Sequence, residues 1–156
     1  PVASVVALRF AGEPQVEPLV LRPTAEGRLD LPATMAEISA QHGQRAKHVS
    51  QGGRTMIGNW SNPQDVVVWN FTLPAERSYR VAVEGRPAAK EAVGQRIEVS
   101  WGDQKLTGKV SADGVALDGQ LRIPAGSQSI SVKLLDAQRT GPPVFDLFGL
   151  RLTPVE

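Results

Sequence analysis

Residues 65–73 read Asp-Val-Val-Val-Trp-Asn-Phe-Thr-Leu, with Val67, Trp69, Phe71 and Leu73 at alternate positions. A period of two puts these four side chains on one face of an extended strand. A helix is excluded, because its apolar stripe recurs every three to four residues. The same alternation returns in residues 78–84 through Tyr79, Val81 and Val83, and in residues 97–101 through Ile97, Val99 and Trp101. Further strands are predicted over 4–10 (Val6, Leu8 and Phe10 on one face), 28–31, 35–39, 106–110, 116–123, 129–135 and 144–152.

Turn-forming residues separate these runs. The breaks fall at 12–18, Thr24-Ala25-Glu26-Gly27, Gly102-Asp103, Pro124-Ala125-Gly126 and Gly141-Pro142-Pro143. Residues 19–22 form a short segment between the first two. Met35, Ala36 and Glu37 are good helix formers, but the short length and nearby Pro32 favour a strand. Residues 86–94 read as a polar loop with at most one helical turn. Short strands with regular turns and no sustained helical period predict an all-β sandwich or jelly roll of nine to eleven strands.

At 156 residues the chain suits one domain with one core, so residues 1–156 are read as a single unit. Seventeen basic against sixteen acidic side chains leave a net charge of +1, which supplies no electrostatic pull toward nucleic acid or an anionic membrane. There is no apolar run of bilayer length. The absence of cysteine excludes disulfides and thiolate metal sites. The chain opens at Pro1 without a signal sequence, which predicts a fragment of a longer protein or a processed chain.

No catalytic constellation assembles. His42 and His48 are spaced for neither a helical nor an alternate-strand zinc pair, and both are read as loop or surface residues. No serine stands in a nucleophile elbow, and Gln51-Gly52-Gly53-Arg54 lacks the lysine of a phosphate loop. Of the carboxylates, Asp146 shares the parity of Val144, Phe148, Leu150 and Leu152, so it is expected to point inward or into a rim and to bond loop backbone, with calcium ligation as the alternative. Trp69 and Trp101 are in phase with core residues. Trp60 lies instead among Gly58, Asn59, Ser61, Asn62 and Pro63, a loop composition. An indole beside amides suits sugar recognition, so Trp60, Asn59 and Asn62 are the candidate carbohydrate-binding residues. The alternative is that Trp60 folds inward to close one end of the sandwich. The sequons at Asn59 and Asn70 are read as chance matches.

The segment Met56-Ile57-Gly58-Asn59-Trp60-Ser61-Asn62-Pro63-Gln64-Asp65-Val66-Val67-Val68-Trp69-Asn70-Phe71 resembles the Ile-Gly-x-Trp … Asp-x-Val-x-Trp-x-Phe signature of galactose-binding-like jelly-roll modules. Such modules follow the catalytic domain in some bacterial α-L-fucosidases and related secreted glycosidases or sulfatases. Residues 78–83, 104–108, 123–127 and 145–154 are similar to the same family, and residues 1–14 resemble the strand leaving a fucosidase catalytic domain. The resemblance implies a non-catalytic accessory module of a secreted or periplasmic glycosidase, with residues 1–22 as strand and connector. Its partner would be a glycan, or its own catalytic domain if it binds no sugar. Many relatives carry aromatics where Asn59 and Val66 stand, and often another in the loop at 111–114. In the related family 6 carbohydrate-binding modules, an early glutamate and a last-strand aspartate bind calcium. Glu37 matches the first, but Phe148 occupies the second position, so no cofactor or metal is expected.

Overall fold

The computed structural model of the protein describes residues 20–39 and 46–155. The strand expected over 4–10, the turn over 12–18 and His42 lie outside the described residues. Within them the chain forms twelve strands: β1 (Leu29–Pro32), β2 (Glu37–Ser39), β3 (Lys47–Gln51), β4 (Arg54–Gly58), β5 (Val66–Leu73), β6 (Arg77–Pro87), β7 (Arg96–Trp101), β8 (Gln104–Ser111), β9 (Gly114–Leu117), β10 (Leu121–Ile123), β11 (Gly126–Leu134) and β12 (Phe145–Pro154). Short 3-10 turns at Ala33–Met35 and Lys90–Ala92 are the helical elements.

The strands make an all-β sandwich. One layer runs β2-β5-β11-β7-β8; the other is built on β6 and β12, with β10 beside β6 and β1, β4 and β3 beyond β12. All named pairs are antiparallel, and β9 joins the layers by pairing with both β8 and β6. Alternating residues of the two inner faces fill the space between them. Val67, Trp69, Phe71 and Leu73 from β5 and Tyr79, Val81 and Val83 from β6 are buried, as their period predicts. Trp69 places its one polar atom by donating from Nε1 to the Pro32 carbonyl at 2.8 Å. Trp101 is half-buried against the core, and its Nε1 donates to Gln128 Oε1 at 3.0 Å.

Three local expectations change. Residues 47–58, where no strand is predicted, form the β3–β4 hairpin. Gly52 and Gly53 both take positive φ (59° and 77°), the geometry of a two-residue hairpin turn whose backbone twist matches its strands. Residues 116–123 are not one strand, because Gly119 at φ 111° separates β9 from β10. Residues 35–39 divide between the first 3-10 turn and β2.

The fourth difference positions the site. In β12 the register steps from Leu147 opposite Gly85 to Gly149 opposite Glu84, leaving Phe148 without a partner. This is a β-bulge, and one extra residue reverses the parity of everything after it. Phe145 and Leu147 point inward before the bulge, and Leu150 and Leu152 point inward after it. Asp146 and Phe148 therefore face outward, correcting the expectation that Asp146 shares the inward face of Leu150 and Leu152.

Gly149 lets β1 approach the bulge. A Cβ there would stand 2.5 Å from the Leu31 carbonyl oxygen and 3.1 Å from Pro32 Cα, both backbone atoms of the paired strand. Gly149→Ala is expected to destabilise the domain by about 1–3 kcal/mol through overpacking. The check is a lowered urea midpoint with an unchanged slope of stability against denaturant.

Candidate functional site

The loop between β4 and β5 carries the three residues singled out by composition. Asn59 turns the chain with φ 55°, the one described non-glycine residue in this region of backbone space, and its side chain is exposed. Trp60 is 0% exposed, and its indole Nε1 donates to the Asp65 carbonyl at 3.3 Å. Asn62 is also 0% exposed. Its Nδ2 donates to Asp65 Oδ1 at 3.1 Å, while its Oδ1 accepts from the Gln64 N–H at 3.1 Å. Asp65 Oδ2 accepts from the Ala46 N–H at 2.8 Å, and the Trp60 carbonyl accepts from Val144 N–H at 2.9 Å.

The loop is thus a closed, internally bonded corner. Of the two arrangements open to Trp60, the structure has the inward one, and the ring offers no face for a sugar to stack on. Asn62 is likewise committed to Asp65. Asn59 alone of the three has a side chain open to a ligand. Asp65 is the organiser that the strand pattern did not single out. Asn62-Pro63-Gln64-Asp65 has the composition of a side-chain-stabilised turn, which is the signal for it.

The outward turn of Phe148 creates a different surface. Arg54 of β4 lies over the Phe148 ring, with its guanidinium carbon 3.8 Å from the ring centroid; Arg86 of β6 stands at 6.0 Å. Two adjoining hollows share Arg54 and Phe148. One, of about 250 Å³, is lined by Gln51, Arg54, Met56, Arg86 and Phe148. The other, of about 320 Å³, takes in Asp30, Thr34, Thr55, Glu84 and Arg151 as its polar lining besides the shared arginine. Arg151 joins Asp30 at 2.9 Å and Glu84 at 2.8 Å, and Arg28 joins Asp30 at 3.0 Å. The hydrogen bond from Arg151, with the nearby charges, holds the Asp30 carboxyl below its ordinary value despite partial burial. Asp146 pairs with Arg86 through Nε at 3.2 Å, so its recorded partner is a guanidinium and not loop backbone.

Other hollows suit a ligand less well. A hollow beside Pro142 and Pro143 is small, at about 100 Å³. It is lined in part by Gln95, whose Oε1 is buried without a partner. A broad groove of about 540 Å³ on the first layer presents Asn70, Thr72, Ser127 and Ser129 beside Val20. Its one aromatic, Phe71, is buried. Among the described aromatic residues only Trp101 and Phe148 are partly exposed, and of these Phe148 lines a hollow.

Glu37 stands exposed on β2 and accepts from Asn70 Nδ2 at 3.4 Å. It belongs to the opposite layer from Phe148, so the two positions that the family 6 pattern pairs for calcium do not meet. Among the described residues no three histidine, aspartate or glutamate side chains come together. His48 lies exposed on β3, with its Nε2 2.9 Å from the Ala33 carbonyl. No described helix is long and apolar enough to cross a membrane.

Comparison with known proteins gives a fold. No family model matches the chain, and no curated protein matches it. Among solved structures, a family 35 carbohydrate-binding module from Clostridium thermocellum superposes with a TM-score of 0.58 at 11% identity, over 82% of this chain and 98% of the module. The chain has the fold of a carbohydrate-binding module. The Podospora anserina GH26-CBM35 β-(1,4)-mannanase gives 0.61 at 15% identity, over 84% of this chain and 28% of that enzyme. The mosquito-larvicidal Cry4Aa toxin of Bacillus thuringiensis gives 0.69 at 12% identity, over 90% of this chain and 25% of the toxin. The chain therefore corresponds to about a quarter of each of these two longer proteins.

Arg54, Arg86 and Phe148 were not among the residues marked by composition. The sequence signal was Gly149, since a glycine inside a strand pattern marks a bulge or a close backbone approach.

Asp65→Ala strips both carboxylate acceptors from a buried corner and should cost about 3 kcal/mol, while Trp60→Ala should cost about 3–5 kcal/mol. Both are read from denaturant unfolding, and unchanged stability in Asp65→Ala would refute the organising role. On the outer face of the first layer, burial of Glu98 raises its pKa, but Lys133 at 3.0 Å, Ser100 at 3.1 Å and the charge of Lys105 outweigh it, so the net shift is downward. The unfolded chain then takes up the proton first as pH falls. This contribution to stability is present above the unfolded value near 4.5 and is lost as pH falls through the lower folded value. Glu98→Gln should flatten that part of the stability–pH profile below pH 4.5.

Proposed function

We propose that the chain is a non-catalytic accessory module that binds carbohydrate on the outer face of the β6–β12–β4 layer. The pair of adjoining hollows around Phe148 carries this reading. They offer guanidiniums, carboxylates, an amide and hydroxyls on rigid strands, with an aromatic ring between them. Sugar hydroxyls both donate and accept, and charge-assisted bonds to them are the stronger kind. The fold shared with carbohydrate-binding modules supports the same reading. The sequence resemblance supports a place beside the catalytic domain of a bacterial α-L-fucosidase, secreted or periplasmic, with residues 1–22 as the connector.

The same surface argues against catalysis. Glycoside cleavage needs a carboxylic acid that keeps its proton, hence a raised pKa, facing a second carboxylate. In the larger hollow Asp30 and Glu84 are both tied to Arg151, and the Asp30 pKa is depressed. Asp30 is thus held in its charged form, the opposite of what a proton donor needs.

The test is a glycan array followed by titration of the 156-residue chain with fucosylated and other oligosaccharides. Binding at millimolar concentration or tighter is expected, and Phe148→Ala should weaken it by about tenfold, equivalent to ~1.4 kcal/mol. No glycan bound at millimolar ligand would sink the reading. Docking onto a glycosidase catalytic domain without sugar binding would place the chain as a structural module instead.

A further inference from the structure

We infer that the hollow lined by Gln51, Arg54, Met56, Arg86 and Phe148 selects glycans bearing an oxyanion, a carboxylate or a sulfate ester, over neutral ones. This rests on the carbohydrate-binding reading and deepens it at the same site. Two guanidiniums line the hollow, and no carboxylate does. Among the described residues Arg54 makes no ion pair. Its guanidinium carbon lies over the Phe148 ring at 3.8 Å, a contact that restrains the group and leaves its N–H edges to a ligand. A guanidinium held in this way matches the two oxygens of a carboxylate or sulfate as a fork.

Arg86 is steered by Asp146, which engages it through Nε, the inner nitrogen, at 3.2 Å. The Asp146 side chain is 15% exposed and does not line the hollow. Arg54, Arg86 and Asp146 together leave one positive charge facing it. A neutral sugar entering would displace water from two cations without offering a counter-charge, whereas an oxyanion compensates that loss. The neighbouring hollow differs in kind, because Arg151 there is already paired with Asp30 and Glu84, which leaves it no unpaired cation besides the shared Arg54. The geometry therefore sets a direction: charged substituent toward Gln51 and Arg86, uncharged ring toward Thr34 and Thr55.

The experiment titrates the full chain with three matched oligosaccharides: uronate-bearing, sulfated and neutral. The charged forms should bind about tenfold or more tightly than the neutral one, and that advantage should shrink as ionic strength rises. Arg54→Gln should collapse the charged-to-neutral ratio toward one, and Arg54→Lys should restore part of it, since the charge returns without the fork. The unfolding midpoint checks that each variant is folded. A preference for only one charged form identifies the oxyanion. Equal binding of charged and neutral glycans, or an unchanged ratio in Arg54→Gln, overturns the inference while leaving carbohydrate binding intact. No binding of any of the three overturns both.

Discussion

The unpaired residue in β12 is the constraint on which the exposed chemistry depends. Before it, β12 sends Phe145 and Leu147 into the core; after it, Leu150 and Leu152. Without the bulge, a strict alternation would send Phe145 and Leu147 to one face and Leu150 and Leu152 to the other. With it, both halves serve one core, and a phenylalanine is left over for the outer surface. That ring gives Arg54 something flat to lie on, and the β3–β4 hairpin is what brings Arg54 within reach. A backbone irregularity of one residue thus links core packing to surface recognition. Its location beside Gly149 follows from steric need, because β1 comes too close there for any side chain.

The Asn59–Asp65 corner works the other way, withdrawing conspicuous chemistry from the surface. Trp60, Asn62 and Asp65 bond chiefly to one another and to nearby backbone, and the indole fills one end of the sandwich. A buried carboxylate is tolerated because backbone and side-chain donors surround it. The corner also fixes the exit of β4 and the entry of β5, which belong to opposite layers. The aromatic signature that makes this segment recognisable is therefore a signature of architecture.

How much of this could be read beforehand depended on whether a local rule governed the outcome. The strand faces of Val67 to Leu73 and of Tyr79 to Val83 were legible because burial and period two agree without interruption. The β3–β4 hairpin was hidden because Lys47, Ser50 and Arg54 carry no apolar alternation; only the Gly52-Gly53 pair betrays it. Parity groups Asp146 and Phe148 with Leu150 and Leu152, and it fails there because it is a long-range rule that one inserted residue breaks. The direction of Trp60 was not decidable from composition, since a tryptophan among amides satisfies both an exposed and a buried arrangement. The bond to the Asp65 carbonyl across the loop and the long-range bond from Val144, just before β12, chose between them.

Carbohydrate recognition on such a surface would rely on a different balance of forces from ring stacking. With the Arg54 guanidinium lying over Phe148, one face of the largest partly exposed ring on this layer is already occupied. What remains is an edge of oriented N–H donors, a tethered second arginine and, one hollow away, two carboxylates paired with a third. Such groups read hydroxyls and charge by direction and count, and a shift of about an ångström costs them more than it costs an apolar contact. Strands are the right support for that task, since side chains on paired strands are fixed in spacing by the backbone ladder. Charge-based recognition is also sensitive to ionic strength, as stacking is not. The same arrangement that makes the surface selective makes its affinity a function of the medium in which it works.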